Sequence, residues 1–319
     1  MKAPFPYFGG KSRISSLVWR ELGADVPNYV EPFAGSLAVL LARPGGAGRI
    51  ETVNDLDGYI ANFWRALAWA PDEVAHHADW PVNEADLHAR HAWLVERRGD
   101  LTERLMGDPR WFDSEAAGWW VWGISCWIGS GWCSGEGPWV HVDGRLVKSD
   151  GGGVSKQRPQ LGSAGMGVHR LRPQLGDAGM GWEAALAPRL RSVRVVCGSW
   201  ERVCTPSVTE NHGVTAVFLD PPYGATRAAG LYGATDSTSV HLDVLGWCED
   251  NGGNPLLRIA LCGYEGEHDA LEAMGWRVHA WKANGGLGSQ CDGRGRENAT
   301  RERIWFSPHC LGSNQMELF

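Results

Sequence analysis

Short apolar runs closed by Gly, Pro, Asn or Asp alternate along this chain with longer stretches whose apolar residues recur every three to four positions. The first pattern marks strands and the second marks helices. Read this way, the first 70 residues predict strand, helix, strand and helix over 28–32, 36–43, 49–54 and 57–69. The alternation returns after residue 190, with strands at 193–197, 214–219, 256–262, 275–281 and 303–306 and helices near 238–250 and 266–274. Parallel neighbours need helical crossovers, so this interleaving predicts an α/β fold with a mostly parallel sheet covered on both faces.

Residues 71–190 break the rhythm. They open with helical periodicity, Leu87, Leu94, Leu101 and Leu105 lying along one face, and end in a Gly-rich stretch. The segment is too long for a crossover and predicts a lobe of its own. The chain then divides into 1–70 and 191–319, two parts of one domain, and an inserted recognition lobe at 71–190. Seven tryptophans fall between Trp111 and Trp139, and RPQLGSAGMG at 158–167 recurs as RPQLGDAGMG at 172–181, identical at nine of ten positions. Two such short copies cannot make a solenoid. They read as a duplicated loop, each copy bringing one arginine, Arg158 or Arg172, to the same kind of surface.

Composition narrows the class. With 43% hydrophobic and 21% charged residues the chain is not a disordered one. No apolar run reaches the roughly 18 residues of a membrane span, and residues 1–10 lack a charged-then-apolar leader. The eight cysteines form no CxxC pair and have no His at zinc spacing, which predicts free thiols in a reducing cytosol and no metal site. The net charge of −7 speaks against a polyanionic partner, but the average hides two blocks. Residues 72–103 carry eight acids against three arginines, whereas 140–205 carry ten bases, Arg158, Arg170 and Arg172 among them, against five acids. A basic, Gly-rich segment inside an acidic protein is a candidate polyanion surface, and equally a solvated loop face.

Three motifs carry candidate chemistry. In VTAVFLDPPYG, 214–224, an apolar strand delivers Asp220 at its C-terminal end, where α/β sheets place their sites. Pro221 and Pro222 then stiffen the backbone, remove two N–H donors and leave carbonyl acceptors, while Tyr223 adds an aromatic face. Two acceptors and a stacking platform suit a planar group bearing an exocyclic amine. In YVEPFAGSLAVLLA, 29–42, a strand ends in Glu31, and Pro32, Phe33 and Gly35 turn it into a helix N-terminus that a ligand can approach. Asp55 follows at the end of the next strand, from which an acid grips ribose hydroxyls. The third, PFPYFGGKSRI at 4–14, sets Tyr7 before Gly10 and Lys11, an aromatic-then-glycine loop with a cation.

YFGGK, EPFAGS, NDLD and DPPY, in this order, resemble the Dam-type (alpha-class) DNA adenine methyltransferases over about 1–70 and 191–306. The resemblance implies a Rossmann-like methyltransferase fold, S-adenosyl-L-methionine as methyl donor, and the N6 amine of a flipped adenine in double-stranded DNA as acceptor. It implies that Tyr7, Gly10 and Lys11 sit at the cofactor, that Glu31, Pro32, Phe33 and Gly35 line its methionine side, and that Asp55 holds its ribose. Ser199 and Trp200 would neighbour its adenine, and Asp220, Pro221, Pro222 and Tyr223 would form the catalytic element, Asp220 also bordering the cofactor. A cytoplasmic modification activity fits the same resemblance, and the sequence is silent on whether a restriction enzyme accompanies it. Two positions depart from the family pattern: its usual second glycine is Leu37, and Ser199 stands where an acid is often found.

For the nucleic-acid partner, Arg158, Arg170 and Arg172 are candidate phosphate contacts, and Trp132 and Trp139, set among glycines, are candidate base contacts. Trp119 and Trp120 read as core, and Arg294, Arg296, Arg301 and Arg303 flank a Gly-rich loop at 284–295 that could also meet DNA. The residues alone leave open cytosine N4, RNA adenine or protein glutamine as acceptor, and a DNA-binding module without catalysis. Target sequence and oligomeric state are not encoded legibly.

Overall fold

Every predicted strand forms, and together the seven build one sheet. The computed structural model describes residues 1–5, 7, 10–45, 49–127, 132–133, 139–142, 145–148, 182–223, 239–282 and 300–312. The duplicated loop with Arg158, Arg170 and Arg172, and the Gly-rich segment 284–295 with Arg294, lie outside them. The first part of the chain comprises α1 (Ser15–Leu22), β1 (Asn28–Glu31), α2 (Ala38–Leu41), β2 (Ile50–Asp55) and α3 (Gly58–Trp69). Helices α4 (Pro71–Ala78), α5 (Glu84–Gly107) and α6 (Ser114–Cys126) follow, then a hairpin of β3 (Trp139–Val142) and β4 (Arg145–Lys148). The last part holds α7 (Trp182–Leu190), β5 (Val193–Cys197), α8 (Pro206–Thr209), β6 (Thr215–Leu219), α9 (Val240–Asn251), β7 (Leu257–Tyr264), β8 (Arg277–Ala280) and β9 (Glu302–Phe306).

The seven-stranded sheet runs β5-β2-β1-β6-β7-β9-β8. Its first five strands are parallel; β9 lies antiparallel to β7, and β8 antiparallel to β9. Side chains alternate between faces, as strand geometry requires. Tyr29, Ala216, Phe218, Ala260 and Cys262 enter one core, while Val30, Val217, Leu219, Ile259 and Leu261 enter the other. Every residue of β1 and β6 is buried, and β6 reads accordingly as a near-continuous apolar run, whereas β1 buries Asn28 and Glu31 at its ends.

Three differences from the sequence pattern have physical causes. The helix predicted over 36–43 shrinks to four residues because Leu37 takes a left-handed conformation, φ 52°, just before it. The helix near 266–274 is a 3-10 turn, Asp269–Met274, ended by Gly275 at φ 85°. The third concerns the expected separate lobe. Helices α4, α5 and α6 do not stand apart: Val74, Leu94, Leu101, Trp120 and Trp122 share one core with Tyr29, Phe63 and Phe218. Their apolar stripes are wide enough to need α3 as a partner, and Asn62 of α3 ties in the start of α6 by exchanging hydrogen bonds with the Asp113 backbone at 2.7 and 2.8 Å. No helix among the described residues is long and apolar enough to cross a membrane. The seven described cysteines are all buried and unpaired.

Candidate active site

The carboxyl ends of β5, β2, β1 and β6 open on one cavity of about 330 Å3, lined by residues of all three sequence motifs. The site follows from the strand order: β1 is flanked by β2 on one side and β6 on the other, so their connections leave in opposite directions and a crevice remains between them.

The EPFAG turn is held from beneath by β2. Asp55 accepts a hydrogen bond from the Gly35 N–H at 2.8 Å with one oxygen and from the Asp57 N–H at 2.9 Å with the other. Burial, with the neighbouring Asp57 carboxylate, pushes the Asp55 carboxyl up to about 7. Gly35 has φ 44°, and a side chain there would meet the Tyr7 ring at 2.6 Å, so glycine is required on both counts. Asn54 donates to the Pro32 and Gly198 carbonyls at 3.0 and 2.9 Å, linking the ends of three strands. Its own Oδ1 is buried without a protein partner among the described residues. Leu37 occupies the place of the absent second glycine and keeps the left-handed backbone that glycine would adopt.

Glu31 is 2% exposed and accepts the Tyr29 hydroxyl at 2.9 Å. Burial, against the opposing pull of that hydrogen bond, pushes its carboxyl up to about 8. Phe33 and Trp200 face each other across the cavity wall, ring centroids 6.4 Å apart and planes 26° from parallel. Ser199 gives its hydroxyl to Glu201, so the acid missing at position 199 enters the cavity wall two residues later.

At the end of β6, Lys11 and Asp220 form an ion pair at 2.9 Å, with side chains 3% and 23% exposed. Burial would lower the Lys11 ammonium, but Asp220, with Cys262 and Glu302 beyond it, outweighs that and holds it above its ordinary value. Lys11 thus belongs to the Asp220 end of the cavity as much as to the cofactor turn predicted for it. Tyr223 is the clearest correction. Expected as an open stacking platform, it is 5% exposed, edge-on to Tyr264 at 4.7 Å, with the Lys11 ammonium 5.3 Å from its ring centre. Its hydroxyl lies 3.1 Å from Asp220 Oδ1 and 2.9 Å from Glu302 Oε2. Glu302, at the start of β9, was not singled out in the sequence. Strand alternation carried the signal, because Glu302, Ile304 and Phe306 share one face and the latter two enter the core.

The remaining candidates fall elsewhere. Trp132 does not stand open to a base: it donates to the Trp120 carbonyl at 3.1 Å and lies so close to Gly123 that any side chain there would collide with it. Trp127 and His91 complete that cluster, and burial pushes the His91 imidazole down to about 4, keeping it neutral. Trp139 opens β3. Arg303 pairs with Glu265 at 2.7 Å, and the Arg301 guanidinium lies over Tyr264 at 5.4 Å.

Residues 7–92 match the family model of the D12 class N6 adenine-specific DNA methyltransferases. No curated protein matches the chain. The matched span contains the Tyr7–Lys11 turn, the EPFAG turn and Asp55, the elements that line one side of the cavity, while Asp220 lies beyond it. This similarity, over about a quarter of the chain, supports a DNA adenine-N6 methyltransferase of the Dam type.

Proposed function

We propose that the cavity binds S-adenosyl-L-methionine on a Rossmann-like methyltransferase scaffold and that Asp220 receives the target adenine's amine beside it. The observation that carries this is the convergence of Asp220, Glu31, Asp55 and the Phe33–Trp200 wall on one cavity at the strand ends. The donor set fits such a cofactor. Three carboxyl groups suit a ligand bearing sulfonium and ammonium charges, the aromatic pair suits a purine, and the orphaned Asn54 Oδ1 awaits a donor. Glu31, Pro32, Phe33 and Gly35 would hold the amino-acid side, Asp55 the ribose with the lone pairs its backbone donors leave open, and Trp200, Ser199 and Glu201 the base. When bound, S-adenosyl-L-methionine supplies a methyl group activated by its sulfonium charge.

The chain's own residues do the rest by position and charge. An adenine inside a duplex must be turned out of the stack, at a cost of a few kcal/mol. Asp220 Oδ1 and the Pro221 carbonyl then accept its two amine hydrogens and draw the nitrogen toward tetrahedral geometry, which localises its lone pair. Pro222 keeps that carbonyl in place, and Lys11 anchors the other Asp220 oxygen. The segment between α6 and α7, with Arg158, Arg170 and Arg172, supplies the duplex surface. Alanine at all three should weaken DNA binding and make its logarithmic salt dependence shallower, the slope falling by about one for each phosphate no longer neutralised. Unchanged affinity and slope would remove them from the interface.

Incubation with labelled S-adenosyl-L-methionine and duplex DNA, followed by mapping of methylated adenines, reads the activity directly. Asp220→Ala should cut methyl transfer by about 100-fold or more while cofactor affinity changes little. Near wild-type turnover in that variant would take Asp220 out of the chemistry.

A further inference from the structure

The Tyr223 hydroxyl stands between two carboxylates and has one proton to give. It lies 2.9 Å from Glu302 Oε2 and 3.1 Å from Asp220 Oδ1. A phenol donates once, so only one of the two acids receives that hydrogen bond. The choice matters, because Asp220 Oδ2 already faces Lys11 at 2.9 Å and Oδ1 is the oxygen left for an incoming amine. If the phenol proton points to Asp220, the amine has to share Oδ1 with it and meets a weaker acceptor. If it points to Glu302, Asp220 Oδ1 keeps its lone pairs.

We propose that Glu302 is a positioning residue that draws the Tyr223 proton to itself and so keeps Asp220 Oδ1 open to the target amine. Three features favour Glu302 as the acceptor. It offers the shorter contact, and it is 5% exposed, so water competes little for its oxygens. Asp220, by contrast, has its charge spread toward the Lys11 ammonium, which makes it the weaker attractor for a further proton. The phenol is also locked in place: its ring is edge-on to Tyr264, and the Cys262 thiol, which burial pushes well up and keeps protonated, lies against the hydroxyl. Held in this way, the hydroxyl stays within reach of both acids.

This inference rests on the acceptor role proposed for Asp220, and the test separates the two. Glu302→Gln nearly preserves shape but replaces the charged acceptor with a neutral amide, whose carbonyl accepts more weakly and whose N–H can donate to the phenol oxygen, so the phenol proton shifts toward Asp220. The single-turnover rate of methyl transfer to DNA, measured with labelled S-adenosyl-L-methionine, should fall about tenfold, with cofactor affinity unchanged. In a Tyr223→Phe background, where no phenol proton exists, the same substitution should change the rate by less than about twofold. Glu302→Asp, which keeps a carboxylate, should recover part of the loss. Equal losses in both backgrounds, or no difference between Glu302→Asp and Glu302→Gln, would make Glu302 a structural residue only. Asp220→Ala, which removes the acceptor altogether, decides the underlying reading when run alongside: if it stays active, the acceptor role itself fails; if it is inactive while Glu302→Gln acts additively, the Glu302 inference alone is lost.

Discussion

Two glutamates on neighbouring strands are buried to almost the same degree and treated in opposite ways. Glu51, near the start of β2, is 1% exposed; Glu31, at the end of β1, is 2% exposed. Glu51 meets Arg43 at 3.0 Å and Arg189 at 2.5 and 2.8 Å, so both its oxygens carry charged donors. Glu31 has a tyrosine hydroxyl and no arginine among the described residues, and its carboxyl is pushed up to about 8. The register sets Glu51 beside Tyr29 and Glu31 beside Val53, so two residues of strand separate a compensated acid from an uncompensated one. The difference teaches where the sheet is built for stability and where for binding. Acids left without a counter-charge cluster at the cavity end, which suits a cationic ligand that supplies the missing charge.

Breaking the compensated side should have the largest effect on stability. Glu51→Ala leaves two guanidinium groups, Arg43 fully buried and Arg189 nearly so, without a counter-charge. A loss of about 3–5 kcal/mol is expected, a fall of about 10 °C in Tm for a chain of this size. The cluster also joins α7 to the N-terminal strands, since Arg189 reaches the Leu40 carbonyl at 3.3 Å. Thermal unfolding checks it, and a loss below about 1 kcal/mol would mean the cluster is not the staple it looks to be.

Glu31 should respond in the other direction and with a pH signature. Its carboxyl is raised from near 4.5 in an open chain to about 8 in the fold. Between those values the unfolded chain has given up the proton and the folded chain still holds it, so stability is fully present below about pH 4.5 and falls as pH rises toward 8. The total is a few kcal/mol at most. Glu31→Gln cannot ionise, so it should flatten this fall and be the more stable protein at pH 8. S-Adenosyl-L-methionine should bind the native enzyme more tightly as pH rises through this window, because a cation favours the ionised acid. A variant as pH-sensitive as the native chain would place the titration elsewhere, with Asp55, raised to about 7, as the next candidate.

This contrast was half legible in the sequence. Strand ends are easy to read, so Asp55 and Asp220 were recognisable as site acids from the apolar runs before them. Partners distant in sequence were not: nothing local to Glu51 announces Arg189, which is 138 positions away. Glu302 was hidden by its neighbours, since Arg301 and Arg303 read as a basic surface pair until alternation turns the acid between them inward. Tyr223 shows the opposite failure. Its residue type suggested an open ring, but side-chain direction after two prolines depends on Glu302 and Tyr264, which no motif contains. The tryptophan run divided the same way: Trp120 was legible as core from its apolar surroundings, while Trp132, set among glycines, was not, because Gly123 on α6 makes the space that receives it.

The smallest expected effect sharpens the comparison at the backbone. The cavity end holds a strained residue as well as an uncompensated acid: Leu37 is fully buried with φ 52° and ψ 29°. A left-handed conformation costs a non-glycine residue about 1–2 kcal/mol, and burying leucine returns more than that. Two truncations separate the contributions. Leu37→Ala removes the side chain and keeps the backbone cost, so it should lose about 2–5 kcal/mol. Leu37→Gly removes the same side chain but relieves the left-handed penalty, and should be more stable than the alanine variant by about 1 kcal/mol. That order reverses the usual rank of alanine over glycine near a helix start, so it cannot arise from helix propensity. Denaturant unfolding of both variants measures the difference. An alanine variant more stable than the glycine one would mean the turn relaxes to an ordinary conformation, and the strain would then not belong to the cavity end.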